Sequence, residues 1–440
     1  REFFRTNLEH EAQVYSRPSG GNVYAVARGN LLVVSLGRQM TAFNTLAAAN
    51  VGPAQLWKAS LTSNLEYAQV FYGQQPGGGA ARPGSFRAPR AVEDEKWIGV
   101  IGPVTAQGVV FQDQRRLMCV DALTGELRWS RSDVPPGCDL FGDDRHVLAV
   151  PMGSTKALVF SAMDGRAMGQ ANVPPWRNQL VALGANLICW QRADDQYELT
   201  SLNPVAGTTG WKHRFAANAQ VDVERGRYVA VAEPGGRVVV VDAADGTICV
   251  DYSGPVVPRV DEVHLAVGRD TFFVAVRRPR VGPSRRNVQP LHALDSQILD
   301  GYVLLFDRWS GAMRWNRPAE VLQQGLLLAQ PVDLPLIVFA GQIVSEAGAG
   351  RPTSKLMILD RATGRTLYQK DDLPQNGNYC VARLADAASR QAAVEMAGRT
   401  ILLQFTDGRR PPEPPALAEV ESADDKGSGG LMGIIFGIGN

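Results

Sequence analysis

The chain has 440 residues, 45% of them hydrophobic and 20% charged, which supplies enough apolar material for a large core. Its formal net charge of +1 gives no global field toward nucleic acid or an anionic membrane. No apolar run reaches the ~18 residues a helical membrane span needs, and an opening at Arg1 reads as a processed mature chain or a piece of a longer one.

In chain order, the lead at 1–21 carries one strand-like segment, "EAQVYS" at 11–16. Then "GRQMTAFNTL" at 37–46 and "QLWKASL" at 55–61 read as the end of a first repeat with a lengthened turn. Residues 62–96 form a long insertion, Gly/Pro/Ala/Arg-rich at its centre. "RLMCVDALTGELRWSR" at 116–131 is the first clear copy of a motif. It returns at 156–171, 198–213, 237–252, 301–317 and 354–370. Each copy is an apolar strand, a polar residue, a short turn ending in Gly, and a second strand. The turn glycines are Gly125, Gly165, Gly207, Gly246, Gly311 and Gly364, spaced 40, 42, 39, 65 and 53 apart. A period of about 40 fits four short strands plus turns.

Residues 219–254 show the unit whole: "AQVDVER", "RYVAVAE", "RVVVVDA" and "TICVDYS", with Gly or Pro at the breaks. That is the signature of an antiparallel meander. Residues 277–300 extend one repeat and hold a basic cluster, Arg277, Arg278, Arg280, Arg285 and Arg286, suited to an anionic partner. "GRTILLQFTDG" at 398–408 reads as a last unit lacking its outer strand, which 11–16 is expected to supply. Residues 409–440 are Pro-rich, then acidic, then Gly-rich, and read as a disordered tail. The fold class is therefore all-β, a propeller of four-stranded antiparallel blades over 22–408, with eight blades, or seven if an end unit is incomplete.

Asn44, Asp121, Asn203, Asp242, Asp307 and Asp360 start the turns, one per blade. A side-chain oxygen there accepts turn N–H groups. Spread over separate blades, these residues do not converge on one metal ion. Trp129, Trp211 and Trp315 stand four residues after a turn Gly, and Tyr368 holds the same place. A large ring repeated at one position is expected to dock a blade on its neighbour, with the indole N–H finding an acceptor. Cys119, Cys138, Cys189, Cys249 and Cys380 are scattered singly; Cys119, Cys189 and Cys249 lie in strand-like runs and read as buried thiols. The five histidines form no ligand pair, and no nucleophile elbow or phosphate loop occurs. The string Asp261-Glu262-Val263-His264 reads as a polar strand edge.

"VDALTGELRW", "FDRWSGAMRW" and "LDRATGRTLY" together resemble the repeat of quinoprotein-type (PQQ-like) propellers. One branch of that family implies pyrroloquinoline quinone, calcium and a vicinal cysteine disulfide; no two cysteines are adjacent here. The branch resembling the outer-membrane assembly factor BamB keeps the docking repeat without the chemistry, and this sequence is similar to it. The resemblance implies an exported, non-enzymatic scaffold for protein or peptide partners, with no cofactor and no catalytic or metal residues. A divergent oxidoreductase, or a propeller module of a larger regulatory protein, are the alternatives.

Overall fold

The computed structural model describes residues 12–15, 23–36, 39–46, 54–61, 101–106, 108–224, 227–279, 287–290, 296–327, 330–331, 334–344, 353–374, 380–386, 391–396, 399–404 and 432–433. The insertion at 62–96, Arg280, Arg285, Arg286 and all of the 409–440 tail except 432–433 lie outside these residues. The chain divides into two compact units, Arg1–Asp251 and Tyr252–Asn440.

Among the described residues the first unit holds five blades, the outer strand of the fifth running two residues beyond Asp251. The first blade is Val23–Arg28, Leu31–Leu36, Gln39–Asn44 and Ala54–Ser60. The second is Ile101–Val104, Gly108–Asp113, Arg116–Asp121 and Leu127–Arg131. The third is Asp139–Gly142, His146–Val150, Lys156–Ser161 and Ala167–Asn172. The fourth is Gln179–Leu183, Asn186–Ala193, Gln196–Asn203 and Thr208–Phe215. The fifth is Gln220–Glu224, Tyr228–Ala232, Arg237–Asp242 and Ile248–Ser253. Each of these blades is an antiparallel meander in sequence order, because links of two to five residues, nine at the last turn of the first blade, return each strand to its predecessor. Among the described residues the one helical element is the 3-10 turn Trp176–Asn178.

The inner and middle strands are β-branched and apolar on both sides, since both faces of a blade are covered. Tyr228–Ala232 is buried throughout, and Arg237–Asp242 is buried after its first residue. One hydrophobic cluster fills each space between consecutive blades of the unit. Val33, Met40 and Trp57 meet Val109 and Phe111; Val110, Leu117 and Trp129 meet Leu140 and Phe160. Between the fourth and fifth blades, Ile188, Trp190 and Leu199 meet Val229, Val239 and Val241, with Trp190 stacked on Tyr197 at 4.8 Å. The outer strands are mostly exposed, as in Ala167–Asn172.

In the second unit, Glu262–Val267, Thr271–Arg277, Ser296–Asp307 and Ala319–Leu327 form one meander. A single residue pair, Leu326 with Phe339, joins it to the next, Leu336–Val344, Thr353–Asp360 and Thr366–Pro374, in an eight-stranded sheet. Asn287–Pro290, within the expected insertion at 277–300, pairs with Leu336–Val344 as the remaining strand. Cys380–Asp386, Gln391–Met396 and Arg399–Gln404 make the last blade. Among the described residues, seven sheets thus contain eight meanders, in agreement with an all-β propeller of four-stranded antiparallel blades.

One expectation about the ends is corrected. Ala12–Tyr15 does not complete the last blade. It pairs antiparallel with Val23–Arg28, Tyr15 opposite Tyr24, as a fifth strand of the first sheet. Few residues separate the two strands, and so short a return has a small closure entropy. The strand beside Arg399–Gln404 is Met432–Gly433, in parallel register with Ile401 and Leu402. Two residues of the tail expected to be disordered are therefore in a sheet.

Candidate functional site

The repeat chemistry gathers at the turn between the third and outer strands of each blade. In the second blade, the Asp121 carboxylate accepts the N–H groups of Leu123 (2.9 Å) and Thr124 (3.0 Å). The Gly125 N–H reaches back to the Asp121 carbonyl at 3.0 Å, and the Asp121 N–H donates to the Glu126 carbonyl at 2.7 Å. The loop closes only if its last residue enters left-handed space, and Gly125 has φ +73°. Gly165, Gly207, Gly246, Gly311 and Gly364 repeat this conformation, with φ between +66° and +79°.

The same arrangement fixes the charge of the turn acids. Thr124 and Leu123 N–H groups hold the Asp121 carboxyl below its ordinary value. Asp307 is held lower still, first by the Ser310 N–H and next by the Arg314 guanidinium at 2.8 Å. Asp242 takes an N–H from Ala244 and a paired grip from Arg227 at 2.7 and 3.2 Å. The turn reading of these residues is what the structure contains. Each side chain is engaged within its own blade.

The tryptophans join one blade to the next. Trp57 lies over Gly125, Trp129 over Gly165, Trp211 over Gly246 and Trp315 over Gly364. A Cβ on any of these glycines would meet an indole carbon at 2.5–2.7 Å. So glycine is needed twice, for its φ and for the ring. Each indole N–H then donates to the carbonyl three residues before the glycine. Trp57 reaches Ala122 (2.9 Å), Trp129 Ala162 (3.0 Å), Trp211 Ala243 (3.3 Å) and Trp315 Arg361 (2.8 Å). Tyr368 packs beside the cluster of Ala382, Ala392 and Val394 in the last blade.

Counting from the turn glycine missed Trp57, because the first blade's turn is longer. Strand register would have found it: Trp57 stands opposite Ala42, two residues before Asn44, as Trp129 stands opposite Cys119, two before Asp121.

The basic cluster resolves differently. Arg277 pairs with Glu262 at 2.8 Å, its direct cross-strand neighbour, and Arg278 with Glu320 at 2.7 Å. Both arginines answer carboxylates of their own blade. Glu262, His264 and Arg277 share one strand face and line a cavity of about 10 Å³ with Ile298, Leu299 and Leu326. That is room for about one water molecule. All five cysteines are free; burial raises the Cys119 thiol to about 11 and those of Cys138, Cys189 and Cys380 to about 12. Cys249, expected to be buried, is only partly so, because it lies on an outer strand.

Antiparallel four-stranded blades joined by a tryptophan laid over a turn glycine define a protein of the β-propeller class. Residues 194–395, a little under half the chain, match the family model described as outer membrane protein assembly factor BamB. That stretch belongs to the PQQ-like repeat propeller family. Among solved structures, BamB from Moraxella catarrhalis aligns at 11% identity over 88% of this chain and 97% of that one, with a TM-score of 0.33. The computationally designed Ika8 protein aligns at 13% identity over 70% of this chain and 96% of that one, with a TM-score of 0.25. No curated protein matches the chain by sequence.

Proposed function

We propose that the chain is a non-enzymatic β-propeller scaffold of the BamB kind, exported to the cell envelope, which holds protein or peptide partners through its inter-blade loops and blade turns. The observation that carries this reading is the match of residues 194–395 to a model named for an outer-membrane protein assembly factor. The use of the repeat residues supports it. Asp, Gly and Trp are spent on closing turns and joining blades, so the surface left free to vary is the turn tips. These tips expose large apolar side chains: Leu123 is 66% exposed, Met163 70% and Trp309 79%. Such side chains are suited to a protein surface.

The test is cross-linking of the tagged full-length chain in intact cells of its source, followed by mass spectrometry. The expected result is a small set of envelope proteins joined to the turn-bearing segments at near-stoichiometric yield. Cross-links confined to copies of abundant soluble proteins would overturn the reading.

A further inference from the structure

One junction of the first unit lacks its tryptophan. The third blade's outer strand, Ala167–Asn172, carries Gly169 four residues after Gly165, where the second and fourth blades carry Trp129 and Trp211. Its neighbour's turn is correspondingly bare. A Cβ on Gly207 would meet nothing within 4 Å, and one on Gly169 would meet nothing either. Gly207 is exposed, whereas Gly165 and Gly246 are buried under indoles. The carbonyl equivalent to those capped by indole N–H groups elsewhere belongs to Pro204, and no tryptophan stands on the strand facing it. The core beneath this junction mixes Ala157, Ala171, Ala182 and Ala185 with larger residues such as Phe141, Leu148 and Leu187.

The edge beside this notch is also unlike the others. Four outer strands of the unit carry charge: Lys58, Arg128 and Arg131, Lys212 and Arg214, and Asp251. Charged side chains on an edge discourage strand addition. "AMGQAN" has no charge and no proline, its first four residues are exposed, and Met168 is 50% exposed.

We propose that this junction is a peptide-docking site. An extended segment of a partner protein adds as a fifth strand to Ala167–Asn172 and lays a tryptophan across Gly169 onto Gly207, its indole N–H directed to the Pro204 carbonyl. An added strand lies about 4.8 Å outside its neighbour, and Gly169 has no side chain to block the ring's path. The four closed junctions show that an indole fits this turn geometry. Main-chain pairing supplies affinity and the aromatic supplies selectivity, as in other strand-addition sites. The inference rests on the scaffold reading and assigns it a site.

The probe is a fluorescein-labelled peptide copying residues 125–132, Gly-Glu-Leu-Arg-Trp-Ser-Arg-Ser, titrated into the full chain by anisotropy. Saturable binding is expected, weakened at least tenfold when the peptide's Trp is replaced by Ala. The double variant Met168→Lys, Gln170→Lys, which changes only exposed positions, should weaken binding at least tenfold with an unchanged thermal melt. A peptide bearing benzophenone in place of the indole should cross-link within residues 204–210. Absence of saturable binding, indifference to either change, or cross-links elsewhere would overturn the site. If the probe fails while the intact chain still cross-links to envelope proteins, the site alone falls. If both fail, the scaffold reading falls with it.

Discussion

Replacing Gly165 by Ala tests the double use of glycine at the joints. The new Cβ would sit 2.6 Å from Trp129 Cε3, well inside contact distance, at a residue with φ +70°. Left-handed backbone costs a residue with a Cβ about 1–2 kcal/mol. Overpacking against a ring that cannot withdraw adds about 1–3 kcal/mol, and Trp129 is held by its bond to Ala162. The total is about 2–5 kcal/mol. Gly207→Ala is the control. Its φ is +66°, but nothing lies within 4 Å of the added methyl. Only the backbone cost of about 1–2 kcal/mol applies there. Urea unfolding followed by tryptophan emission should therefore place Gly165→Ala below Gly207→Ala by about 1–3 kcal/mol. Equal losses at the two sites would refute the claim that the indole is packed on the glycine.

Trp315→Phe should cost about 1 kcal/mol by removing the N–H bond to Arg361 while keeping a ring, and Trp315→Ala about 3–5 kcal/mol by opening a cavity; calorimetry distinguishes them. The carboxyls of Asp121 and Asp307 titrate lower in the folded chain than in the unfolded one. Their stabilisation is thus complete above the ordinary carboxylate pKa of about 4 and is lost as pH falls through the folded values. Urea midpoints should change little on account of these two groups from neutral pH to about 5, then fall, and Asp307→Asn should flatten the acid limb. Burial raises the thiols of Cys119, Cys138 and Cys189, so all three should resist a disulfide reagent at pH 8 in the native chain and react once urea unfolds it.

The blade was legible in the sequence where turns carry their own chemistry. Residues 219–254 divide at "PGG" and "ADG", and the four strands lie between these breaks because Pro lacks a ladder N–H and Gly at positive φ favours a turn. The joint was legible for Trp129, Trp211 and Trp315 because the ring keeps a fixed distance from the turn glycine. It was hidden for Trp57, whose longer turn breaks the count while preserving the register. The bare junction at Gly169 and Gly207 was not legible, since a missing partner has meaning only once the filled joints are seen. The strand at Ala12–Tyr15 was assigned to the wrong sheet because a local pattern shows that a strand forms, not what it pairs with. Arg277 and Arg278 looked like a free basic cluster because their carboxylate partners, Glu262 and Glu320, lie on other strands.

The repeat residues of this propeller are spent on blade joints, and the proposed function is binding without turnover. The most direct measurement is a titration of the full-length chain with pyrroloquinoline quinone and calcium, followed by tryptophan fluorescence and by dye reduction with alcohol and aldose substrates. A binding scaffold gives no saturable quenching and no reduction above the protein-free rate. Quenching that saturates at one cofactor per chain, with substrate-dependent dye reduction, would contradict it.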